Sequence, residues 1–136
     1  MEYEVVDLSE VGVDLHSNGP SAFAKADFSS AHRGPDGVIS WSPPGRGGVY
    51  GGIATQDAAG GHEGERHLDG EELLLVLDGV LRVVLLDDKG KAADEVRLTE
   101  NKAFLVPRGV WHRVIPEGPC RFLFLGGGRT EIRPTQ

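Results

Sequence analysis

The chain reads as an all-β protein, a single barrel or jelly roll. Short apolar or alternating stretches recur along it, each bounded by turn residues. No segment sustains a 3.6-residue apolar period, so no long amphipathic helix is expected. Twenty glycines and eight prolines in 136 residues supply the tight turns that many short strands need. No internal repeat is present, and one barrel is expected rather than two.

In chain order, residues 3–8 (Y-E-V-V-D-L) alternate weakly and predict an edge strand. His16-Ser17-Asn18-Gly19-Pro20 is turn chemistry. Residues 21–28 alternate as a strand does, although their alanines would also suit a helical turn, and a strand is the reading adopted. Residues 32–37 (H-R-G-P-D-G) predict a loop and residues 38–41 a short strand. Pro43-Pro44-Gly45-Arg46-Gly47-Gly48 is a flexible connection. It divides the chain into an N-terminal arm with short strands (1–47), a barrel (48–130) and a polar C-terminal tail (131–136). Within the barrel, residues 49–56 predict a Gly-rich strand and 57–61 a turn.

The apolar run from Leu73 to Leu77 ends in Asp78-Gly79, a strong hairpin signal. A two-residue turn there pairs Leu77 with Val80, Leu75 with Arg82 and Leu73 with Val84. One face then carries Glu72, Leu74, Val76, Leu81, Val83 and Leu85. The other carries six aliphatic residues around Arg82, too many to leave facing water together, so a covering partner is expected. Further strands are predicted over 93–98, 103–106, 111–115 and 120–125, with a turn at 87–91. Gly126-Gly127-Gly128 ends the packed part.

Residues with metal chemistry gather at the start of this barrel. Glu65 and His67 are two apart, so on a strand both side chains leave one face. Glu71-Glu72 opens the next strand, and the turn Pro107-Arg108-Gly109-Val110-Trp111-His112 delivers one more imidazole. Glu65, His67, Glu72 and His112 are thus four candidate metal ligands.

At these residues the chain resembles the cupin superfamily. That family's first motif is a Gly, five residues, His-x-His, three or four residues, Glu, six residues and Gly. His67, Glu72 and Gly79 fit it, which selects Glu72 over Glu71. Pro107, Gly109 and His112 fit the second motif, Pro-x-Gly-x-x-His. Glu65 stands where the first motif has its first histidine, with the preceding glycine shifted to Gly60 or Gly61. Asn101 replaces the glycine that opens the second motif, and is the next-best residue for positive φ. Pro116 stands at the closing asparagine. The pattern is similar to that of small bacterial single-domain cupins.

The resemblance implies a cupin jelly-roll barrel over about residues 48 to 130 and one divalent ion, Mn, Fe or Zn, on Glu65, His67, Glu72 and His112. It implies a small oxygenated substrate, with dioxygenase, isomerase, cyclase or lyase chemistry all represented in the family. Glu65, if not coordinated, would be the general base. The rival readings are a non-catalytic binding module and a structural dimer with a vestigial site. A homodimer across a two-fold axis is expected, with the arm covering part of the sheet.

Composition narrows the classes. A formal charge of −7 with no basic cluster argues against nucleic acid, and no apolar run is long enough to span a membrane. The acidic start M-E-Y-E-V-V-D-L lacks the regions of a signal peptide, and the lone Cys120 fits a reducing cytoplasm. Glu63 has the parity to rim the site, but a solvated turn is the reading adopted for it, and His62 would face solvent. Glu71 and Arg113 are expected to point outward. Trp41, Tyr50 and Cys120 are expected in the core, and His16 and His32 are given no role. No glycine run forms a nucleotide-binding loop.

Overall fold

A computed structural model describes residues 5, 7–16, 19–24, 31–42 and 49–135, and among them strands are present and helices are not. Two antiparallel sheets face each other. The first has six strands in the order β10 (Ala103–Val106), β7 (Glu72–Asp78), β12 (Cys120–Gly127), β5 (Val49–Gln56), β1 (Val11–His16) and β2 (Gly19–Ala24). The second has seven: β3 (His32–Arg33), β4 (Ile39–Trp41), β13 (Thr130–Pro134), β6 (His62–His67), β11 (His112–Pro116), β8 (Leu81–Leu86) and β9 (Ala92–Leu98). Within residues 49–135 the chain changes sheet at each connection between successive strands except that from β8 to β9. This is the expected all-β jelly roll. None of the described residues form a helix long and apolar enough to cross a membrane.

Alternation along the strands builds the core. Leu74 and Val76 of β7, Leu81 and Val83 of β8, Leu98, Val106, Cys120 and Phe122 are buried together between the sheets. A smaller cluster, Val84, Leu86 and Trp111 with Val38 and Ile115, lies on the outer side of the seven-stranded sheet. There the Arg133 and Arg66 guanidiniums sit 4.0 and 4.7 Å from the centre of the Trp111 ring, so cations help cover the indole. Trp41 is in the core as expected, edge-on to Tyr50 with ring centres 5.1 Å apart.

Four expectations are corrected. Asp78-Gly79 does turn the chain, but it does not close a hairpin. Leu75 pairs with Leu123 and Ala103, and Arg82 with Ile115 and Arg97, because β7 and β8 belong to opposite sheets. The Gly79 backbone has φ 88°, and it passes so close to Pro119 and Cys120 that a Cβ would collide with their backbone. Turn chemistry fixes the local bend, whereas the sheet each strand joins is fixed by the whole core. Consequently Leu73, Leu75 and Leu77 do not share a face with Val84 and Leu86, and Arg82 pairs with Glu95 of its own chain.

Second, of the strand expected over 3–8 only residues 5, 7 and 8 are described, and these three are not in a strand. The Asp7 carboxylate accepts from the N–H and hydroxyl of Ser9 (2.9 and 2.5 Å), an Asx turn, and the first strand among the described residues is β1. Third, the polar tail is strand β13, held between β4 and β6. Its polar side chains are used there: Glu131 pairs with Arg66, 2.5 Å away. Fourth, His62 lines a cavity instead of facing solvent. The strand expected over 21–28 is seen as β2, which ends at Ala24; 25–28 and the 43–48 connection lie outside the described residues.

Candidate metal centre

Strand β6 presents Glu65 and His67 to the inter-sheet space, as their two-residue spacing requires. His112 opens β11 directly opposite Glu65 on the neighbouring strand. Glu72 enters from the other sheet, at the start of β7, where its pair across β12 is Gly126. A Cβ on Gly126 would lie 3.3 Å from Glu72 Oε2, so the absent side chain makes room for the carboxylate. One potential ligand atom from each of the four residues lies within 4.8 Å of the others. The structure therefore brings together all four residues that the sequence singled out.

Hydrogen bonds fix both imidazoles. His112 Nδ1 is 3.0 Å from the Val110 carbonyl oxygen, which can only accept, so Nδ1 carries the proton. His67 Nδ1 is 2.9 Å from Thr130 Oγ1, and Thr130 in turn donates to the Gly128 carbonyl at 3.5 Å. Both rings thus turn Nε2 toward the carboxylates. His112 Nε2 is 3.1 Å from Glu72 Oε1 and 3.5 Å from Glu65 Oε1. His67 Nε2 is 3.1 Å from Glu72 Oε2 and 4.0 Å from Glu65 Oε1. Although close to Glu72, His67 Nε2 is buried without an aligned hydrogen bond. Anchoring a ring through Nδ1 while leaving Nε2 toward anionic oxygens is the arrangement of a metal-ligating histidine.

The spacing also suits one ion. Donor atoms bound at about 2.1 Å stand about 3.0–4.2 Å apart in octahedral or tetrahedral geometry, and the four contacts fall in that range. Two carboxylates would cancel a dication's charge. His67, Glu72 and His112 are buried, whereas the Glu65 side chain is 23 % exposed. Glu65 is the cluster's open corner.

In the absence of an ion, protons do the same electrostatic work. Burial pushes His112 toward its neutral form, but hydrogen bonds to Glu65 and Glu72 and their charges outweigh it and raise the imidazole to about 10. His67 is raised too, burial again being overcome by Glu72 and Glu65. Burial alone would raise the Glu72 carboxyl; His112 and His67 hold it down at about 2. Burial raises the Tyr50 hydroxyl above its ordinary range, with Glu65 and Glu72 adding to the effect. The donor set fits a metal: an ion and protons compete for the same Nε2 atoms.

A cavity of about 220 Å³ opens beside the cluster, lined by Glu65, His67 and Glu72 together with Tyr50, Gln56 and His62. Sequence parity placed His62 in solvent, whereas Glu63, although of the rim parity, was expected in a solvated position, and it is exposed. A bulge reverses the parity of both: Gly64, with φ 149°, pairs with Arg133 while His62 pairs with Pro134, so Glu63 is the extra residue. His62 thereby lines the cavity, and exposed Glu63 joins Arg82 and Val84 on the outer face. Glu71 is exposed as expected. The sequence also gave no signal for Thr130, which lies 63 residues from the histidine it orients. The glycine before Glu65 was the only available hint of the bulge.

The family model described as "Cupin domain" matches residues 55–126, more than half of the chain. A conserved Streptococcus pyogenes protein of unknown function superposes with TM-score 0.50 at 13 % identity, covering 100 % of this chain and 92 % of that one. A cupin-2 domain protein from Shewanella frigidimarina superposes with TM-score 0.49 at 15 % identity, covering 65 % and 78 %. Hydroquinone 1,2-dioxygenase from Sphingomonas sp. TTNP3 does so with TM-score 0.49 at 18 % identity, covering 67 % and 63 %. Comparison with curated proteins gives no match. At 13 % identity the likeness to the Streptococcus pyogenes protein speaks for a shared fold alone. With the family model spanning the strands that carry Glu65, His67, Glu72 and His112, the chain belongs to the cupin domain family.

Proposed function

We propose that this protein is a cytoplasmic metal-dependent enzyme that holds one divalent ion on Glu65, His67, Glu72 and His112 and acts on a small oxygenated molecule. The observation that carries this reading is the His112 ring. Its Nδ1–H is committed to Val110, and its Nε2 faces two carboxylate oxygens that only a proton or a cation can reconcile with it. Two nitrogen and two oxygen donors suit Mn²⁺, Fe²⁺ or Zn²⁺. Bound there, the ion would supply a Lewis acid for a substrate oxygen, the chemistry shared by dioxygenase, isomerase, cyclase and lyase reactions.

The protein's own part is to hold and to move protons. Glu72 and the two histidines are locked by burial and hydrogen bonds, so they hold. Glu65 is the more open carboxylate, and it is the group placed to take a proton from a molecule in the cavity. Two measurements separate its roles. Protein purified without added metal should contain about one ion per chain, the stoichiometry of a single mononuclear site. Glu65→Gln should lower that content if Glu65 is a ligand, or keep the metal and lose turnover if it is a free base. Unchanged metal and unchanged turnover would exclude both roles.

We further propose a homodimer through the outer face of the six-stranded sheet. Correcting the β7–β8 connection moves the apolar face rather than removing it. Leu75 lies between Leu123 and Ala103, and Leu73 between Leu125 and Leu105, with Ile53 next to Leu123. Leu105 is 53 % exposed. This aliphatic surface is continuous and comes from four strands, the kind of patch that an isologous interface covers. Leu75→Asp should convert a dimer to a monomer, because a charge at the centre of a dry patch costs several kcal/mol. Light scattering over a dilution series reads the outcome. A wild-type chain that is monomeric at high concentration would refute the interface.

A further inference from the structure

The cavity beside the cluster is unusual in its charge. Among the described residues its lining contains carboxylates and imidazoles but no lysine or arginine. With a dication on the two carboxylates the site is neutral, so an anionic substrate would bring charge that none of the described lining residues compensates. Its sides are Leu74, Val114, Phe122, Phe124 and Ala54, which offer an apolar and partly aromatic surface. At about 220 Å³ it holds the equivalent of about seven waters, less than a drug-sized pocket.

Two polar side chains line the cavity away from the cluster, Gln56 and His62. Gln56 closes β5, pointing inward with Tyr50 and Ala54, and its buried Oε1 has no hydrogen-bond partner. His62 opens β6 at the same end of the cavity, after the turn that joins the two strands. The backbone N–H of Gly64 donates to His62 Nδ1 at 3.1 Å. Nδ1 therefore accepts, and the ring proton sits on Nε2 as a donor. A buried amide oxygen without a partner costs free energy until a ligand supplies one. A hydroxyl is the group that can give a proton to Gln56 and accept one from His62.

We infer that the cavity is a subsite for a small uncharged molecule with an apolar, flat body and a hydroxyl remote from the metal cluster, recognised by Gln56 and His62. The inference rests on the metal reading for the end of the molecule that meets the cluster. At the Gln56 end it rests on side chains that belong to no ligand set.

The test is calorimetric titration of zinc-loaded protein, freed of excess metal, with resorcinol and with 3,5-dihydroxybenzoate. The two probes share both hydroxyls and differ by one negative charge. Resorcinol should bind one per chain, about tenfold more tightly than the carboxylate, on the scale of one uncompensated charge near a half-closed site. Gln56→Met, which keeps the length and removes the hydrogen bond, should weaken resorcinol about tenfold while zinc content stays constant. His62→Phe should weaken it as well, and decides the matter if the Gln56 variant does not fold. Equal or tighter binding of the carboxylate, or binding indifferent to both substitutions, overturns the inference. If wild type takes up no zinc, the metal reading has failed by itself. The same titrations on metal-free protein then decide the Gln56 subsite independently: dependence on Gln56 supports it, and indifference overturns it.

Discussion

Replacing His67 and His112 together by alanine is expected to empty the site of metal and to destabilise the chain. The wild type should carry about one ion per chain and the double variant less than about a tenth of that, since two of four donors are gone. Glu72 suffers most in the variant. Its carboxylate is buried and is held ionised by those two imidazoles, which outweigh the effect of burial. With both removed, burial acts unopposed and the carboxyl must take up a proton or remain as a lone buried charge. Breaking a buried pair in this way costs about 3–5 kcal/mol. Metal content per folded chain and a denaturant titration read the two effects separately. Equal metal in wild type and double variant would refute the ligand assignment.

The second large effect is a reversal of pH dependence on metal loading. Take the metal-free protein first. His112 is raised in the folded state to about 10 from 6.5, with burial opposing and Glu65 and Glu72 prevailing. A raised value stabilises fully below about 6.5, the unfolded value, and that stability is lost as pH rises through about 10. His67 shifts in the same direction. Glu72 is lowered to about 2, so its contribution is present above about 4.5 and is lost as pH falls toward 2. These are one set of contacts, worth a few kcal/mol once rather than three times. Chelator-stripped protein should therefore melt at a clearly lower temperature at pH 9 than at pH 6. Zinc should reverse the order, because an ion occupies the Nε2 positions that protons leave. A stripped protein whose melting temperature is the same at both pH values would contradict this account of the cluster.

Much of the cluster was legible because it depends on short-range geometry. Glu65 and His67 share a face by the period of a strand, and the turn at Pro107–Gly109 sets His112 where β11 begins. Asn101, expected at a positive φ, has φ 67°. What escaped depends on distant strands. Asp78-Gly79 announces a turn, but whether the next strand returns to its own sheet is decided by β11 and β12, which come later in the chain. The strand from Thr130 looks like a tail because its outer residues are polar, yet Glu131 is matched to Arg66 across the sheet. One inserted residue at Glu63 was enough to exchange the faces of His62 and Glu63. Parity is reliable only as far as the nearest bulge.

Glu65, His67 and His112 belong to one sheet and Glu72 to the other, forty residues before His112. An ion gripped by all four is thus a rivet through the sandwich, and its loss frees two layers otherwise joined there by hydrogen bonds and packing. Because the unfolded chain does not hold the four ligands together, the free energy of binding such an ion would add directly to the stability of the folded sandwich. The carboxylate that sits alone on its layer therefore governs how firmly the two halves of the sandwich stay together, as well as what the site can hold.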